Sequence, residues 1–461
     1  MPDALALARD SHDLALRQLM ELAAIPSVGT DPVHRQDTLR AARWLADEMG
    51  TVGLQQVDIL PTGGNPVVYG EWLGAGGDAA TVLLYAHYDV QPARREDGWN
   101  SEPFEPQLRD GRLFGRGVAD DKSHCVVLLR AVAALLASEE GCPVNVRFLL
   151  EGEEESGSPN LLPFLRENRE RLEADAAIIA DGGFEDPDVP LIVTALRGIV
   201  ALELGVSGPG TDLHSGIHGG IVHNPAQVIA EIVARLHHPD GRIAVPGFYD
   251  DVRQLSTRER ELLAEGDMSD EDWQDLVGAP RDWGEPGYSR VERTGARPTL
   301  EINGIYGGYS GEGFKTVIPA RAHAKISCRL VANQRPLRVY DLVCDFIRTI
   351  APPTVTPEFR LLGSGDPVEI DIDSPFVMAL QRAYTLHWPG PAGFRRTGGS
   401  VPIIAMFSEV PGIPSVTLGF STSDSGIHGP NENYRVDMLN KGIDTTVRFL
   451  QEIARGHQAG N

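Results

Sequence analysis

The chain has 461 residues, 42% of them apolar and 23% charged, and a formal net charge of −24. That length exceeds what one core usually organises, so two domains are expected, and the composition excludes a chain disordered throughout. The acid excess excludes nucleic acid as a partner and predicts a solvated acidic surface.

Residues 3–24 and 37–50 read as amphipathic helices, the second closed by Gly50 and Gly53. The start of the chain lacks the basic segment and apolar core of a signal peptide. No apolar run reaches the roughly 20 residues that a membrane helix needs, so no membrane partner and a cytoplasmic location are expected. Cys125, Cys142, Cys328 and Cys344 show no paired ligand spacing. Reduced thiols are therefore expected, not a zinc finger or a disulfide framework.

Residues 55–60 and 66–73 read as strands around the turn PTGGNP. Residues 81–90, TVLLYAHYDV, climb through an apolar run into His87 and Asp89. Such a run predicts a buried strand with chemistry at its carboxyl end. Positions 87 and 89 are two apart, so on a strand they share one face, where a carboxylate can hold the second nitrogen of a metal-binding imidazole. A loop with two solvated polar residues is the plainer alternative. Residues 122–138 predict a buried helix, 144–150 a strand running into EGEEESGS, 159–172 a helix, and 176–180 a strand running into Asp181. Strands alternating with helices are the pattern of parallel βαβ units. Parallel strands end on one edge, so His87, Asp89, Glu151 to Glu155 and Asp181 are expected to converge.

Beyond about 195 the pattern changes. Residues 198–206 predict a strand, 224–237 a helix, 248–298 a polar helix-rich stretch, 299–319 an irregular Gly-rich stretch, 321–331 a half-solvated strand and 336–351 a helix. A helix at 375–387, a strand at 413–419 and a helix at 437–455 follow. The fold class expected is α/β, with a mostly parallel mixed sheet and helices on both faces in residues 1–195 and 367–461. An α+β unit, 196–366, is inserted.

Candidate metal ligands are His87, Asp120, the run Glu153 to Glu155, Asp181 and His428. Neutral imidazoles and carboxylates held at fixed positions are what divalent ions need. Singly, each has a bland reading: Asp120 as a helix cap, the glutamates as a solvated turn, Asp181 as a strand-end turn, His428 as a loop histidine. Together they fit a two-metal hydrolase better than a catalytic triad. No HExxH, GxSxG, Walker A loop or dinucleotide fingerprint competes.

The motifs AHYDVQPA, DGWNSEPF, GRGVADDKS, EGEEESGS, DLHSG, FKTVIPA, TGGSVP and IHGPNE occur in one order between about 80 and 435. In this the chain resembles the di-zinc exopeptidase family of aminoacylases, carboxypeptidases and dipeptidases, closest to its carnosine-dipeptidase-like branch. The resemblance implies that His87 and Asp181 bind one metal, that Glu155 and His428 bind the other, and that Asp120 bridges them. Asp89 would support His87. Glu154 would be the general base, with Glu153 on a variable position. Zinc is the metal implied, with manganese or cobalt as substitutes. A cis peptide is implied after Asp120, and Ser123 stands where the family usually has glycine.

The function implied is that of a dipeptidase acting on dipeptides or short peptides with a free C-terminal carboxylate. A water shared by two metals would attack the amide, with Glu154 taking its proton and passing it to the leaving amine. His214 would stabilise the oxyanion and, as in relatives, reach the partner's site, making the insertion both a lid and a dimerisation module of a homodimer. Arg329 would hold the substrate carboxylate, though on its own it reads as an outward-facing arginine on an edge strand. Thr316, Gly399 and Ser400 would be further substrate contacts. An N-acyl-amino-acid amidohydrolase is the alternative enzyme, and a non-catalytic binding protein on the same fold the alternative class.

Overall fold

Val82, Leu83, Leu84 and Tyr85 are apolar on successive positions, so a strand built from them must be covered on both faces. In the computed structural model, which describes residues 3–264, 267–397, 402–410 and 412–460, this run lies inside a sheet. The two main sheets use ten strands: β1 (Gln56–Leu60), β2 (Val67–Trp72), β3 (Thr81–His87), β4 (Asn145–Glu151), β5 (Ala176–Ala180), β6 (Gly198–Ser207), β7 (Thr299–Gly307), β8 (Arg321–Leu330), β9 (Thr356–Gly365) and β10 (Ser415–Leu418).

The chain forms two compact units, Met1–Thr194 with Ile370–Gly393 and Pro402–Asn461, and Ala195–Glu369 with Phe394–Val401. The second unit takes in Phe394–Val401 as well as the stretch that the sequence pattern places at 196–366. In the first unit the sheet order is β1-β2-β4-β3-β5-β10. β4, β3, β5 and β10 are parallel, and β2 runs against β4 and β1. The Lys122–Ala137 helix joins β3 to β4 and packs on β3, with the Arg35–Val52 and Val436–Gly460 helices against it. Phe407, from the Pro402–Glu409 helix, meets Tyr85 edge to face at 5.8 Å. Leu84, Tyr85, Val127, Leu128 and Phe148 are fully buried, each worth about 1.5–3 kcal/mol in removed apolar surface.

Three local expectations change. The amino-terminal helix is two helices, Ala4–Asp10 and His12–Ala23, meeting at Ser11, whose hydroxyl donates to the Ala8 carbonyl at 2.7 Å. The strand carrying His87 stops at that residue, so Asp89 is not on it. The Gly-rich stretch from 299 begins as β7, whose register shifts between Ile302 and Gly304. A bulge of this kind lets a strand carry glycines that its composition alone argues against.

The second unit is built on the antiparallel sheet β7-β8-β6-β9. β8 alternates strictly, with Ala322, Ala324, Ile326, Cys328 and Leu330 buried. These join Val200, Leu202 and Leu204 of β6 in a core with residues of the Pro225–Ala234 and Pro336–Ile350 helices. Residues 248–298 contribute three short helices, Thr257–Ala264, Asp270–Val277 and Arg290–Gly295. All four cysteines are buried and unpaired, and no helix among the described residues is long and apolar enough to cross a membrane.

The first unit's termini are tied together at Asp444, in the Val436–Gly460 helix. It is 2% exposed and accepts from Arg9 Nε at 3.1 Å and His12 Nε2 at 3.0 Å, with His387 Nε2 at 3.2 Å. Burial alone would raise its pKa, but the hydrogen bonds from His12, His387 and Arg9 outweigh that and hold it well below the usual carboxylate range. A carboxyl with a depressed folded pKa contributes stability in full above its unfolded pKa, about 3.9, and loses it as pH falls through the folded value. Asp444→Asn should therefore cost about 2–4 kcal/mol at pH 7, with the gap to wild type narrowing below about pH 4. Urea unfolding at pH 7 and pH 3 measures this; an equal gap at both would contradict it.

Candidate metal centre

β3 and β4 are parallel and in register at their ends, His87 opposite Glu151, and β5 delivers Asp181 one residue past its end. His87 is fully buried. Its Nδ1 lies 3.0 Å from the Asp89 carbonyl oxygen and 3.5 Å from the Asp89 carboxylate. The carbonyl is the nearer acceptor, so Nδ1 carries the proton and Nε2 is left as the donor atom for a metal. The Asp89 carboxylate is held elsewhere: Oδ1 accepts from the Glu154 N–H at 3.1 Å and Oδ2 from the Glu155 N–H at 3.2 Å. Asp89 thus ties the His87 segment to the 3₁₀ turn Glu154–Ser156. A Cβ on Gly29 would come within 2.3 Å of Asp89 Oδ2, which explains a glycine there.

Asp120 precedes the Lys122–Ala137 helix, and its peptide bond to Asp121 is cis. Its two oxygens face two histidines: Oδ1 is 3.0 Å from His87 Nε2 and Oδ2 is 3.0 Å from His428 Nε2. His428 Nε2 is also 3.2 Å from Glu155 Oε2, and Asp181 Oδ1 is 4.0 Å from His87 Nε2. Two donor groups result, His87–Asp120–Asp181 and Asp120–Glu155–His428, each with its ligand atoms within 4.8 Å of one another. They share Asp120. Glu154 belongs to neither.

The crowding of acids shows in the direction of their pKa shifts. Burial, together with Asp121 and Asp120 and opposed by His87, pushes Asp181 up to about 7. Burial also pushes Glu154 up to about 7, with His87 opposing and Asp181, Asp89 and Glu155 adding. Hydrogen bonds to Asp120 and Glu155 raise His428 to about 10. Carboxylates crowded and buried in this way are a setting that divalent cations would compensate. Imidazole nitrogen and carboxylate oxygen in this mixture suit zinc, manganese or cobalt. The donor set therefore fits two divalent ions.

The scaffold beneath is less legible in the sequence. Glu432, fully buried, accepts from the Gly117 N–H at 2.9 Å, the Ala119 N–H at 2.8 Å and the Asp120 N–H at 3.1 Å. Arg116 Nη1 donates to it at 2.7 Å, while Arg116 Nη2 donates to the His428 and Gly429 carbonyls at 3.2 Å each. One ion pair thus fixes both the Asp120 segment and the His428 loop. His428 has φ 61°, a left-handed conformation that costs a non-glycine residue about 1–2 kcal/mol. Asp121 Oδ2 accepts from the His87 N–H at 3.1 Å, and its other oxygen meets His124 Nδ1. Burial pushes His124 down to about 4, so its Nε2 accepts from the Phe420 N–H at 2.9 Å. Glu432 lies inside the IHGPNE motif and Asp121 is the second acid of ADDKS; those were the available signals. Lys122 of ADDKS turns away and donates to the Leu22 and Ile25 carbonyls at 3.1 and 2.6 Å. Glu153 accepts from the Asn65 N–H at 3.0 Å and Asn160 Nδ2 at 2.9 Å, away from both donor groups. Ser123 is buried in the first turn of its helix.

In the second unit, Leu213–His214 pairs with Val317–Ile318, and the Ser215 N–H donates to the Thr316 carbonyl at 3.1 Å. His214 and Thr316 are therefore neighbours, and both are exposed. His214 Nδ1 accepts from the Gly216 N–H at 3.0 Å, which leaves Nε2 as its donor. Arg329 sits at the far end of β8. Gly399 and Ser400 lie outside the described residues.

A mixed α/β sheet with two carboxylate–histidine groups on one edge, in a chain that also carries a separate antiparallel unit, defines a metallohydrolase of the peptidase type. The chain belongs to Peptidase family M20/M25/M40, which it matches over residues 83–452. It is 32% identical to the Cys-Gly metallodipeptidase of Schizosaccharomyces pombe, over 96% of each chain. It is 29% identical to the human Beta-Ala-His dipeptidase, covering 97% of this chain and 92% of that one. The M20 family metallo-carboxypeptidase Sso-CP2 from Sulfolobus solfataricus superposes with a TM-score of 0.81 at 31% identity, over 96% of this chain and 99% of that one.

Glu432→Gln keeps the shape of this scaffold but removes the charge opposite Arg116. Metal affinity should fall about 10–100-fold, read by competition with a chromogenic chelator. Unaltered affinity would mean that the ion pair does not position the ligands.

Proposed function

We propose that this chain is a metal-dependent dipeptidase, hydrolysing the amide bond of dipeptides or short peptides that carry a free C-terminal carboxylate. The observation that carries the reading is the pair of donor groups sharing Asp120, with a glutamate beside them that belongs to neither. Two divalent ions per subunit, zinc in preference to manganese or cobalt, would be held by His87 and Asp181 on one side and Glu155 and His428 on the other, with Asp120 common to both. Bound there, such ions supply Lewis acidity and bring the pKa of water toward neutrality. Glu154 accepts the water's proton as the scissile carbonyl is attacked, then delivers it to the leaving amine nitrogen. Asp89 positions this base through the Glu154 N–H and His87 through its own carbonyl.

Arg329 offers a planar fork to the substrate's terminal carboxylate, and Thr316, Gly399 and Ser400 complete its contacts. His214 Nε2 donates to the developing oxyanion. His214 pairs beyond the Arg321 end of β8, whereas Arg329 is eight residues further along it, about 26 Å at 3.3 Å per residue. A dipeptide is too short to meet both from one chain. This supports a homodimer in which His214 serves the partner subunit's site. Ile217 and Ile221, just after His214, and Phe314, just before Thr316, are 69%, 79% and 89% exposed and would be covered by a second copy. Four unpaired thiols support a reducing, cytoplasmic location.

Glu154→Gln should keep its full metal content and lose about 10²–10⁴-fold in kcat. Turnover that survives intact would remove Glu154 as the base. Chelation should abolish hydrolysis, and added zinc or manganese should restore it. Cleavage of N-acetyl amino acids in preference to dipeptides would move the reading to a deacylase.

A further inference from the structure

The second unit contains a cavity of about 470 Å³ whose walls are unusually cationic for a chain of net charge −24. Four arginines line it, Arg197, Arg293, Arg297 and Arg329, against Glu285 and Glu301. Two of the arginines are matched. Arg297 makes a two-pronged pair with Glu285 at 2.7 and 2.8 Å, and Arg293 pairs with Asp282. The other two are not. Among the described residues, Arg197 Nε and Nη1 are buried without a hydrogen-bond partner, and Arg329 has no hydrogen-bond or ion-pair partner.

Register places these two side by side. Arg329 on β8 lies opposite Ile199 of β6, and Arg197, in the link just before β6 begins, lines the same cavity. Burial, and next the positive charge of Arg329, pushes Arg197 down to about 10, with Glu301 opposing. Arg197, Arg329 and Glu301 together leave one positive charge uncompensated. Buried guanidinium N–H groups without acceptors are costly, and a carboxylate is the acceptor whose two oxygens match their forks. Ser327 and Thr299 stand on the same face as Arg329 and supply hydroxyls to the same space.

We propose that Arg197 and Arg329 form a two-guanidinium site for a single carboxylate, closed over by the segment carrying Trp283, Arg293 and Arg297. The inference rests on Arg329 as the carboxylate anchor of the proposed reaction. It adds a second binding arginine, and it gives the 280–298 segment a role as the wall of a ligand cavity. Trp283, 72% exposed on that wall, is a natural reporter of occupancy.

The test compares L-alanyl-L-alanine with its C-terminal amide on the metal-loaded enzyme. Arg197→Gln should raise KM for the free acid about 30–100-fold, change kcat less than about 3-fold, and leave KM for the amide alone. Arg197→Lys, which keeps charge and stem, guards against a misfolded glutamine variant and should lose most of the same preference because the fork is gone. Benzoate, titrated without turnover, should give saturable quenching of tryptophan fluorescence that disappears in Arg197→Gln, Arg329→Gln and Trp283→Phe. Equal effects of Arg197→Gln on acid and amide, or benzoate binding that survives it, would overturn the proposal. If Arg329→Gln alone removes the preference for the acid, the Arg329 assignment stands and Arg197 is dismissed. If benzoate binding needs both arginines but no dipeptide is cleaved, the site stands and the dipeptidase reading falls.

Discussion

Asp120 gives one carboxylate oxygen to each of two imidazoles, both at 3.0 Å, and this leaves no slack in where those imidazoles sit. One comes from a strand end and the other from a loop near the carboxyl terminus. Apolar packing alone cannot hold such an arrangement, because hydrophobic contact is not directional. Directional bonds do it. Arg116 and Glu432, 316 positions apart, bind the Asp120 segment through its N–H groups and the His428 loop through its carbonyls. A buried ion pair of this kind is poor evidence of stability, since apolar residues of similar volume often do as well. Its contribution here is position.

The same logic explains why so many acids are tolerated at one sheet edge. Burial raises Glu151 to about 8, against a hydrogen bond donated by Tyr85 at 2.7 Å. Asp181 and Glu154 are raised with it. Taken as a folding problem, these groups are a liability, because each must be neutralised or paired before it can be buried. Taken as a binding problem, they are what makes the edge select cations. The strained His428 falls in the same place. Local departures from regular geometry tend to gather where a chain is shaped for a ligand and not for its own folding.

Much of the first unit was legible in the sequence because apolar runs and helical periodicity are local signals. The ends of β3, β4 and β5 could be read as converging, since parallel strands connected by helices must finish on one edge. What misled was continuity. The alternation argument put His87 and Asp89 on one strand face, yet β3 stops at His87, and the two meet through the Asp89 carbonyl. Glycines misled in the same way at β7, where a register shift accommodates them. Glu432 and Arg116 had only their place in the IHGPNE and GRGVADDKS motifs to mark them, for a different reason. A glutamate in a polar loop and an arginine after a turn look solvated, and only long-range contact makes them buried partners.

The second unit poses the opposite electrostatic demand. The first gathers carboxylates and histidines in two groups that could hold cations; the second crowds arginines around one cavity. Neither demand could be read from net charge, which averages over the whole surface. Arg329 sits near the end of β8, on the sheet face turned away from the apolar core, and Arg197 lies just before β6 begins. A sheet whose apolar face is covered by helices leaves its other face to carry charge, provided that the polar groups buried there find partners. The insertion is therefore built so that its stability and its chemistry lie on opposite sides of one sheet. Substitutions at Arg197 and Arg329 can alter recognition without touching the core that keeps the unit folded.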